Sequence, residues 1–274
     1  MQSIRDLEES LPIRHNLLLI FVLSLIIAFL MTVVSITSLV LRAAIYPTQE
    51  LFNTFVPNDL INLGIGVPVL LATMWLTRRG KLIGLLCWPG ALFFILYNYI
   101  AYIFAVPLSA AFLLHLALVA LSIYTMMILC GSIDAERVQT LLRPAVPAGF
   151  SAAILVLLGA LFFFRVIGMV IGSLSAQTPL SDSEIAVSVA DFLITPAWIL
   201  GGILLWRKKP MGYVASLGLL FQASMLFISL ILLMLLQPLM TATPLVFADI
   251  GVIFVMGTVC FIPFVLFARG VLSK

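Results

Sequence analysis

The sequence predicts an all-α, polytopic membrane protein built as a bundle of eight transmembrane helices. Of its 274 residues, 64% are hydrophobic and only 9% are charged, and the mean hydropathy is +1.27. A soluble domain carries about 25% charged residues. The apolar residues also fall into eight separate runs of the length that a helix needs to cross a bilayer. This composition excludes a soluble enzyme, a disordered tail and a nucleic-acid-binding protein.

The eight runs define the predicted spans in order along the chain. They cover residues 16–41, 58–77, 82–104, 108–131, 147–172, 188–206, 211–236 and 245–268. The first run is too long for the apolar core of a signal peptide, so we expect its helix to be retained. The turns at 78–81 and 207–210 are tight, which makes the helices on either side antiparallel neighbours. The longest predicted loops are 42–57 and 173–187.

The basic residues predict the orientation of the bundle. If the N-terminus is inside the cell, all 14 lysines and arginines except Arg42 and Arg165 lie in cytoplasmic segments, and the count reverses for the opposite orientation. Short cytoplasmic loops carry an excess of Lys and Arg. An even number of spans then places both termini in the cytoplasm. The net charge of +3 reports this orientation and indicates no acidic partner.

The two halves of the chain share a layout that suggests an internal repeat. Residues 1–143 and 144–274 would each contain four helices. Four pairs of identical residues are 128 positions apart: Pro68 and Pro196, Arg79 and Arg207, Lys81 and Lys209, and Gly84 and Gly212. Four helices per half preserve direction, so the halves would be parallel repeats about the membrane normal. The alternative is coincidence, since Arg, Lys and Gly are common at such turns.

Pro68 and Pro196 lie at matching positions inside the second and sixth predicted spans. Proline removes a backbone hydrogen bond, which a membrane helix tolerates when neighbouring groups satisfy the freed carbonyl. Each proline is either a static kink or a hinge beside a ligand.

Polar residues inside the spans give the candidate functional site. A charged side chain in the membrane is costly, so the few that occur identify sites that need them. All of them fall in the half of the membrane away from the basic turns, and we select Tyr97, Asn98, His115, Arg165, Asp191 and Asp249 as a candidate ligand-binding pocket.

Arg165 needs a partner, because a guanidinium stays charged and requires several hydrogen-bond acceptors. Asp191 and Asp249 are the candidates at matching depth. Gly168 and Gly172 follow with GxxxG spacing, which lets another helix approach closely. The set is either a structural ion pair between helices or an outward-open pocket for a solute or a lipid headgroup.

Other polar groups have simpler interpretations. Asp59 follows Pro57 at the predicted start of the second span, where we expect its carboxylate to cap the helix, the alternative being a functional role. His115 is either an interior histidine or a site residue. The tyrosines near the end of the third span could form an interfacial aromatic belt.

The remaining chemistry of the sequence is sparse. Three separated cysteines lie in apolar runs and are expected to be free thiols, and two histidines are too few for a histidine-rich metal site. No lysine lies mid-membrane for a retinal Schiff base. We expect no metal and no cofactor. The lipid bilayer is the expected environment of the chain. Other protein subunits are not predicted either way.

Two stretches resemble a known group. They are DFLITPAWILGGILLWRKKPMGY, from Asp191 to Tyr213, and the segment from Trp75 to Tyr102, which includes WLTRRGKLIG and YNYIAY. Together they are similar to a group of uncharacterised prokaryotic multi-pass integral membrane proteins. The resemblance implies a location in a prokaryotic cytoplasmic membrane and assigns no catalytic residue.

Three functions are compatible with these observations. The first is binding or transport of a small solute or lipid through an outward-facing polar pocket. The second is an intramembrane enzyme acting on a lipid headgroup, with His115 and an aspartate as acid and base. The third is a non-catalytic sensor or accessory subunit. The apolar inner halves of the helices count against the first, since they offer no obvious polar path.

Overall fold

A computed structural model describes residues 11–241 and 244–274. The apolar runs form helices, because a segment inside a bilayer must satisfy its backbone hydrogen bonds internally. The helices are α1 (Leu18–Val40), α2 (Arg42–Ile45), α3 (Gln49–Ile61), α4 (Val67–Arg78), α5 (Leu82–Ala105), α6 (Ala110–Ser132), α7 (Ala135–Leu142), α8 (Ala148–Ala176), α9 (Asp182–Trp206), α10 (Pro210–Met240) and α11 (Phe247–Leu272).

Eight helical segments of the described chain are long and apolar enough to cross a membrane. They are α1, α3 joined to α4, α5, α6, α8, α9, α10 and α11. The predicted all-α fold with eight spans is therefore confirmed, and the protein is an integral membrane protein. Arg5, which the orientation prediction counts, lies outside the described residues.

The second span begins nine residues earlier than predicted. It runs from Gln49 to Arg78, and a π-helical segment, Asn62–Gly66, joins α3 to α4. Thr48 caps its start by accepting a hydrogen bond from the backbone N–H of Leu51. The polar residues between 49 and 58 interrupt the apolar run, but they do not interrupt the helix. The long loop predicted at 42–57 is therefore wrong.

The sixth span also begins earlier, at Asp182 instead of 188. Ser181 and Glu184 form a capping box, in which each side chain accepts a hydrogen bond from the other residue's backbone N–H. The fifth span meanwhile extends to Ala176, so only residues 177–181 connect the two helices. The long loop predicted at 173–187 is absent for this reason.

One end of the bundle carries the basic turns, and we call it the basic face. It holds the α4–α5 turn, the α9–α10 turn and the short helix α7. The side chain of Gln139 on α7 donates to the carbonyl of Lys208, which ties two of these segments together. At the opposite face, the Glu50 carboxylate accepts from the backbone N–H of Ser183 at 2.9 Å, which joins α3 to α9.

The residues around the two tight turns match at an offset of 128. Gly80 and Lys208 both have positive φ, 69° and 53°. The N–H of Lys81 donates to the carbonyl of Leu76 at 3.0 Å, and the N–H of Lys209 donates to that of Leu204 at 2.8 Å.

Helix contacts repeat in the same way. In the first half α1 packs on the second span, the second span on α5, and α5 on α6; in the second half α8 packs on α9, α9 on α10, and α10 on α11. Between the halves, α5 crosses α10 at Gly90 and Gly218, which are themselves 128 residues apart. A Cβ added to Gly90 would lie 2.2 Å from the Gly218 carbonyl oxygen, so the two backbones touch there.

Candidate functional site

Two polar clusters lie on either side of α5, the most buried of the spans. The Asp191 cluster consists of Tyr97, Arg165 and Asp191. The Asp59 cluster lies among α1, α3, the π segment, α5 and α6. Its members are Ser35, Ser38, Tyr46, Asn58, Asp59, Asn62, Asn98, Tyr99, Tyr102 and His115. Helix α5 supplies residues to both clusters, because neighbouring positions on a helix point in different directions.

The Asp191 cluster joins three helices through one carboxylate. The Nη2 of Arg165 on α8 lies 2.5 Å from Asp191 Oδ2 on α9, and the hydroxyl of Tyr97 on α5 donates to Oδ1 at 3.0 Å. The Asp191 side chain is 7% exposed, whereas that of Arg165 is 44% exposed. The guanidinium also lies over the ring of Phe162, 5.8 Å from its centroid. Part of the Arg165 side chain is thus accessible from outside the bundle.

This cluster lies near the middle of the membrane-spanning helices. Arg165, Asp191 and Tyr97 are each three or four residues from the midpoint of their helix, or about 5 Å at a rise of 1.5 Å per residue. All three are displaced towards the face opposite the basic turns. A charge at this depth is costly unless it is paired, so the short Arg165–Asp191 contact is physically required.

The predicted partnership of Arg165 is confirmed for Asp191 and wrong for Asp249. Asp249 lies exposed in the first turn of α11, where a carboxylate is stabilised by the helix dipole. It lies only two residues from the start of its helix, whereas Arg165 lies near the middle of its own. Asp249 therefore does not belong to the same cluster.

An apolar groove lies beside the Asp191 cluster. It has a volume of about 440 Å³ and is bounded by the halves of α8 and α9 that lead to the face opposite the basic turns. Val166 lines it next to Arg165, and Phe192 lines it next to Asp191. The groove therefore begins next to the ion pair and leads to the connection between α8 and α9.

Asp59 is the centre of the second cluster. It has no exposed surface, its Oδ2 accepts from the Tyr46 hydroxyl at 2.6 Å, and its Oδ1 accepts from the Tyr102 hydroxyl at 2.9 Å. The two ion pairs within the described residues, Arg14–Asp134 and Arg165–Asp191, do not involve it. Burial, followed by the nearby Asp59 charge, raises the pKa of Tyr46, which lies in the connection before α3.

The proposed capping role of Asp59 is wrong. The helix begins at Gln49, ten residues before Asp59. Asp59 therefore lies well inside the second span, where the backbone N–H groups already have partners. Its side chain instead points into the bundle and binds the two phenols.

Amide side chains of the second span extend this cluster towards α5. Asn58 Nδ2 lies 3.2 Å from Asn98 Oδ1 and 3.3 Å from the Tyr102 hydroxyl, and Asn62 Nδ2 lies 3.4 Å from the same hydroxyl. Asn98 is therefore part of the Asp59 cluster, although it follows Tyr97 directly in the sequence. The structure divides the predicted single pocket between two sides of α5.

Several buried polar atoms of the Asp59 cluster have no hydrogen-bond partner in the described part of the chain. They are both ring nitrogens of His115, the Tyr99 hydroxyl, the hydroxyls of Ser35 and Ser38, and the Asn62 side-chain oxygen. These residues are completely buried. His115 packs against the rings of Tyr102 and Tyr99, with centroids 5.0 and 5.6 Å apart. Buried polar atoms in proteins are normally satisfied, so this concentration needs an explanation.

The tyrosines of α5 do not form an interfacial belt. Tyr99 and Tyr102 are fully buried, and Tyr97 contacts Asp191. Tyr46, Asn58 and Asn62 were not predicted as site residues from the sequence. The available signal was the spacing of Asn58, Asp59 and Asn62, which share one face if the helix is continuous. The polar character of this segment made it resemble a loop.

The catalytic interpretation gains little from this geometry. His115 and Asp59 belong to one cluster, but neither has exposed surface through which a lipid headgroup could reach it. Among the described residues, no three His, Cys, Asp or Glu side chains are placed to hold a metal ion. The cysteines Cys87, Cys130 and Cys260 are free thiols.

No protein-family model matches the chain, and no curated protein or solved structure is significantly similar to it. The resemblance to a group of prokaryotic multi-pass proteins therefore stays a prediction.

Proposed function

We propose that this protein is a carrier that binds a small solute or lipid headgroup with an anionic group at Arg165. The observation that carries the proposal is that the Asp191 cluster spans the boundary between the two halves of the chain near mid-membrane. Tyr97 belongs to the first half, and Arg165 and Asp191 belong to the second. Transporters commonly bind their substrates near the bilayer midplane, between internal repeats.

We also propose that residues 1–143 and 144–274 are parallel repeats. The matched turns, the matched helix contacts and the crossing of Gly90 with Gly218 support this relation. Such halves can rock against each other, and hydrogen bonds across their boundary would break and form during the motion. The positive-inside bias further supports cytoplasmic termini, and we assign the protein to a prokaryotic cytoplasmic membrane.

The exposed part of Arg165 supports an anionic ligand. A guanidinium has five N–H donors in a planar arrangement that fits carboxylate and phosphate groups, and the described contact with Asp191 involves only Nη2. The groove between α8 and α9 offers apolar surface beside it. A ligand that combines an anionic group with an apolar part fits both features.

Binding can be tested by the thermal stability of the purified protein. The probes are short-chain carboxylates, organic phosphates, and phosphatidylglycerol against phosphatidylcholine in nanodiscs. We expect one class of anionic probe to raise the melting temperature. Arg165→Met should raise the Kd of that probe at least about tenfold, because a hydrogen bond to a charged group contributes about 1.5–3 kcal/mol. Soluble probes and lipids distinguish a solute from a headgroup.

The matched control is Arg42→Met, which removes an exposed arginine at the end of the bundle where α2 lies. It should leave binding unchanged. Equal weakening by both variants would indicate nonspecific attraction by positive charge and would contradict the proposed site.

A second candidate function is that of an accessory subunit, and the exposed glycines of α8 favour it. Added Cβ atoms at Gly168 and Gly172 would meet nothing within 4 Å, so no helix in the described part of the chain uses their GxxxG spacing. Gly168→Leu with Gly172→Leu should then abolish association with a partner in crosslinking from membranes. The variant should still fold, because both sites are open.

A further inference from the structure

The oxygen atoms around Asp59 form a set with a specific chemical character. The carboxylate, the hydroxyls of Ser35, Tyr46, Tyr99 and Tyr102, and the Asn62 amide oxygen are all oxygen donors, and all belong to residues that are at least 98% buried. Ser35 lies beside both Asp59 and Tyr99. Oxygen-only sets of carboxylate, amide and hydroxyl groups are suited to hard metal cations.

We propose that the Asp59 cluster binds one monovalent metal cation between α1, the second span and α5. This site is separate from Arg165 and does not depend on the proposed carrier function. The charge count selects a monovalent ion, because one carboxylate and one such ion are neutral together. A divalent ion would leave a net charge in the membrane, at a considerable desolvation cost.

The absence of a protein cation near Asp59 supports the assignment. The carboxylate has two phenol donors but no ion-pair partner among the described residues. Asp191, at similar depth, has Arg165. A buried carboxylate without a counter-charge costs several kcal/mol, and a bound cation removes that cost.

The unpartnered atoms distinguish a metal cation from a proton. A proton on Asp59 would neutralise the carboxyl group, and the Ser35 hydroxyl lies close enough to Asp59 and Tyr99 to pair with them, but the buried Asn62 oxygen would still have no partner among the described residues. A metal cation accepts lone pairs from several of these oxygens at once. His115, which packs on Tyr99 and Tyr102, is the remaining titratable group around the cluster.

The break in the second span lies beside the cluster. Asn62 is the first residue of the π segment and follows Asp59 by three positions. Single π turns occur frequently at functional sites, and interrupted membrane helices are a recurring way to build ion sites. Here the π segment presents the Asn62 amide on the same side as the Asp59 carboxylate.

Ion-dependent stability of the purified full-length protein tests the proposal. Melting temperatures are measured over a range of NaCl or KCl concentrations, with choline chloride holding the ionic strength constant. We expect the melting temperature to rise by about 3–6 °C with at least one metal ion, in proportion to the logarithm of its concentration once this exceeds the Kd. Equilibrium dialysis with radioactive sodium, or with rubidium if potassium is preferred, should give one ion per chain.

Variants of the cluster should lose this response. Asp59→Asn should abolish it, and Ser35→Ala or Tyr99→Phe should raise the Kd of the ion, measured by dialysis, about tenfold, the loss expected when one ligand is removed. Asp249→Asn, at an exposed carboxylate, should keep the response. Arg165→Met should also keep it, so that failure of the carrier proposal is distinguishable from failure of this one.

Three results would overturn the cation site. They are equal stabilisation by choline, an unchanged ion response in Asp59→Asn, and a stability that varies with pH but not with the metal ion. Tyr99→Phe keeps the aromatic packing, so it tests the site even if Asp59→Asn fails to fold.

Discussion

Asp59 and Asp191 are two buried aspartates of one bundle that use different stabilising partners. Asp191 accepts from a guanidinium and a phenol, and Asp59 accepts from two phenols. Asp191 was predicted from the sequence as one of two candidate partners of Arg165, because its depth matched, and the structure shows the pair. Asp59 was misplaced, because Pro57 and Asn58 resemble a helix start when the preceding turns cannot be seen to be helical.

At the residue scale, the first prediction concerns the Arg165–Asp191 pair. Arg165→Met leaves the Asp191 carboxylate buried with only Tyr97, so we expect a loss of roughly 1–3 kcal/mol of stability. Asp191→Asn should be less harmful in the Arg165→Met background than in the wild type, and thermal unfolding of the four proteins measures this coupling. Additive losses would mean that the pair contributes no interaction energy.

The second prediction concerns Tyr46 and alkaline pH. The pKa of its buried phenol is raised above the usual value of 10.0, so in the folded protein Tyr46 keeps its proton where the unfolded chain releases it. Unfolding then releases a proton above pH 10, and the stability contributed by the phenol falls as the pH rises. Tyr46→Phe lacks this proton, so the gap in melting temperature between wild type and variant should narrow from pH 8 to pH 10.5. At pH 8, Tyr46→Phe should lower the free energy of unfolding by about 1–3 kcal/mol. A gap in melting temperature that stays constant between pH 8 and pH 10.5 would contradict the prediction.

At the scale of elements, the sequence predicted the number and type of helices but placed two starts late. Apolar runs report where a helix meets lipid, whereas a helix begins where a capping group satisfies its first N–H groups. Thr48 and Ser181 are these groups, and both precede polar turns. The π segment was not predicted, because nothing in its sequence NLGIG distinguishes a π turn from an ordinary helical turn.

The third prediction concerns the crossing of α5 and α10. Gly90→Ala would place a methyl group against the Gly218 backbone, which cannot move away as a flexible side chain can. We expect a loss of roughly 1–3 kcal/mol from overpacking. Gly131→Ala in α6 is the control, since its Cβ meets nothing within 4 Å, and it should not destabilise the protein. Similar melting temperatures for both variants would show that the crossing is looser than described.

At the scale of the whole molecule, the fold class followed from composition and run length alone. The candidate site followed only in part. A list of polar residues inside spans gives their depth, but it does not give the direction in which each points around its helix. For that reason Tyr97 and Asn98, adjacent in the sequence, were expected in one pocket and belong to different clusters.

The fourth prediction concerns orientation. Gln177 lies in the connection between α8 and α9 and Lys208 in the basic turn between α9 and α10, so a cysteine at each position reports an opposite face. With Cys130 replaced by alanine, an impermeant thiol reagent added outside intact cells should label Gln177→Cys and not Lys208→Cys. Labelling of Lys208→Cys alone would invert the proposed topology.

The contact between the backbones of Gly90 and Gly218 is a point about which α5 and α10 can change their crossing angle. Neither glycine has a side chain to hold the backbones of α5 and α10 apart, so the two helices could pivot at this crossing. Tyr97 lies seven residues further along α5, a lever arm of about 10 Å at 1.5 Å per residue. A pivot of about 10° then moves Tyr97 by roughly 2 Å, which is enough to break a hydrogen bond of ordinary length. In the proposed rocking motion, a small angular change at this crossing would therefore open or close the polar contact between Tyr97 and Asp191.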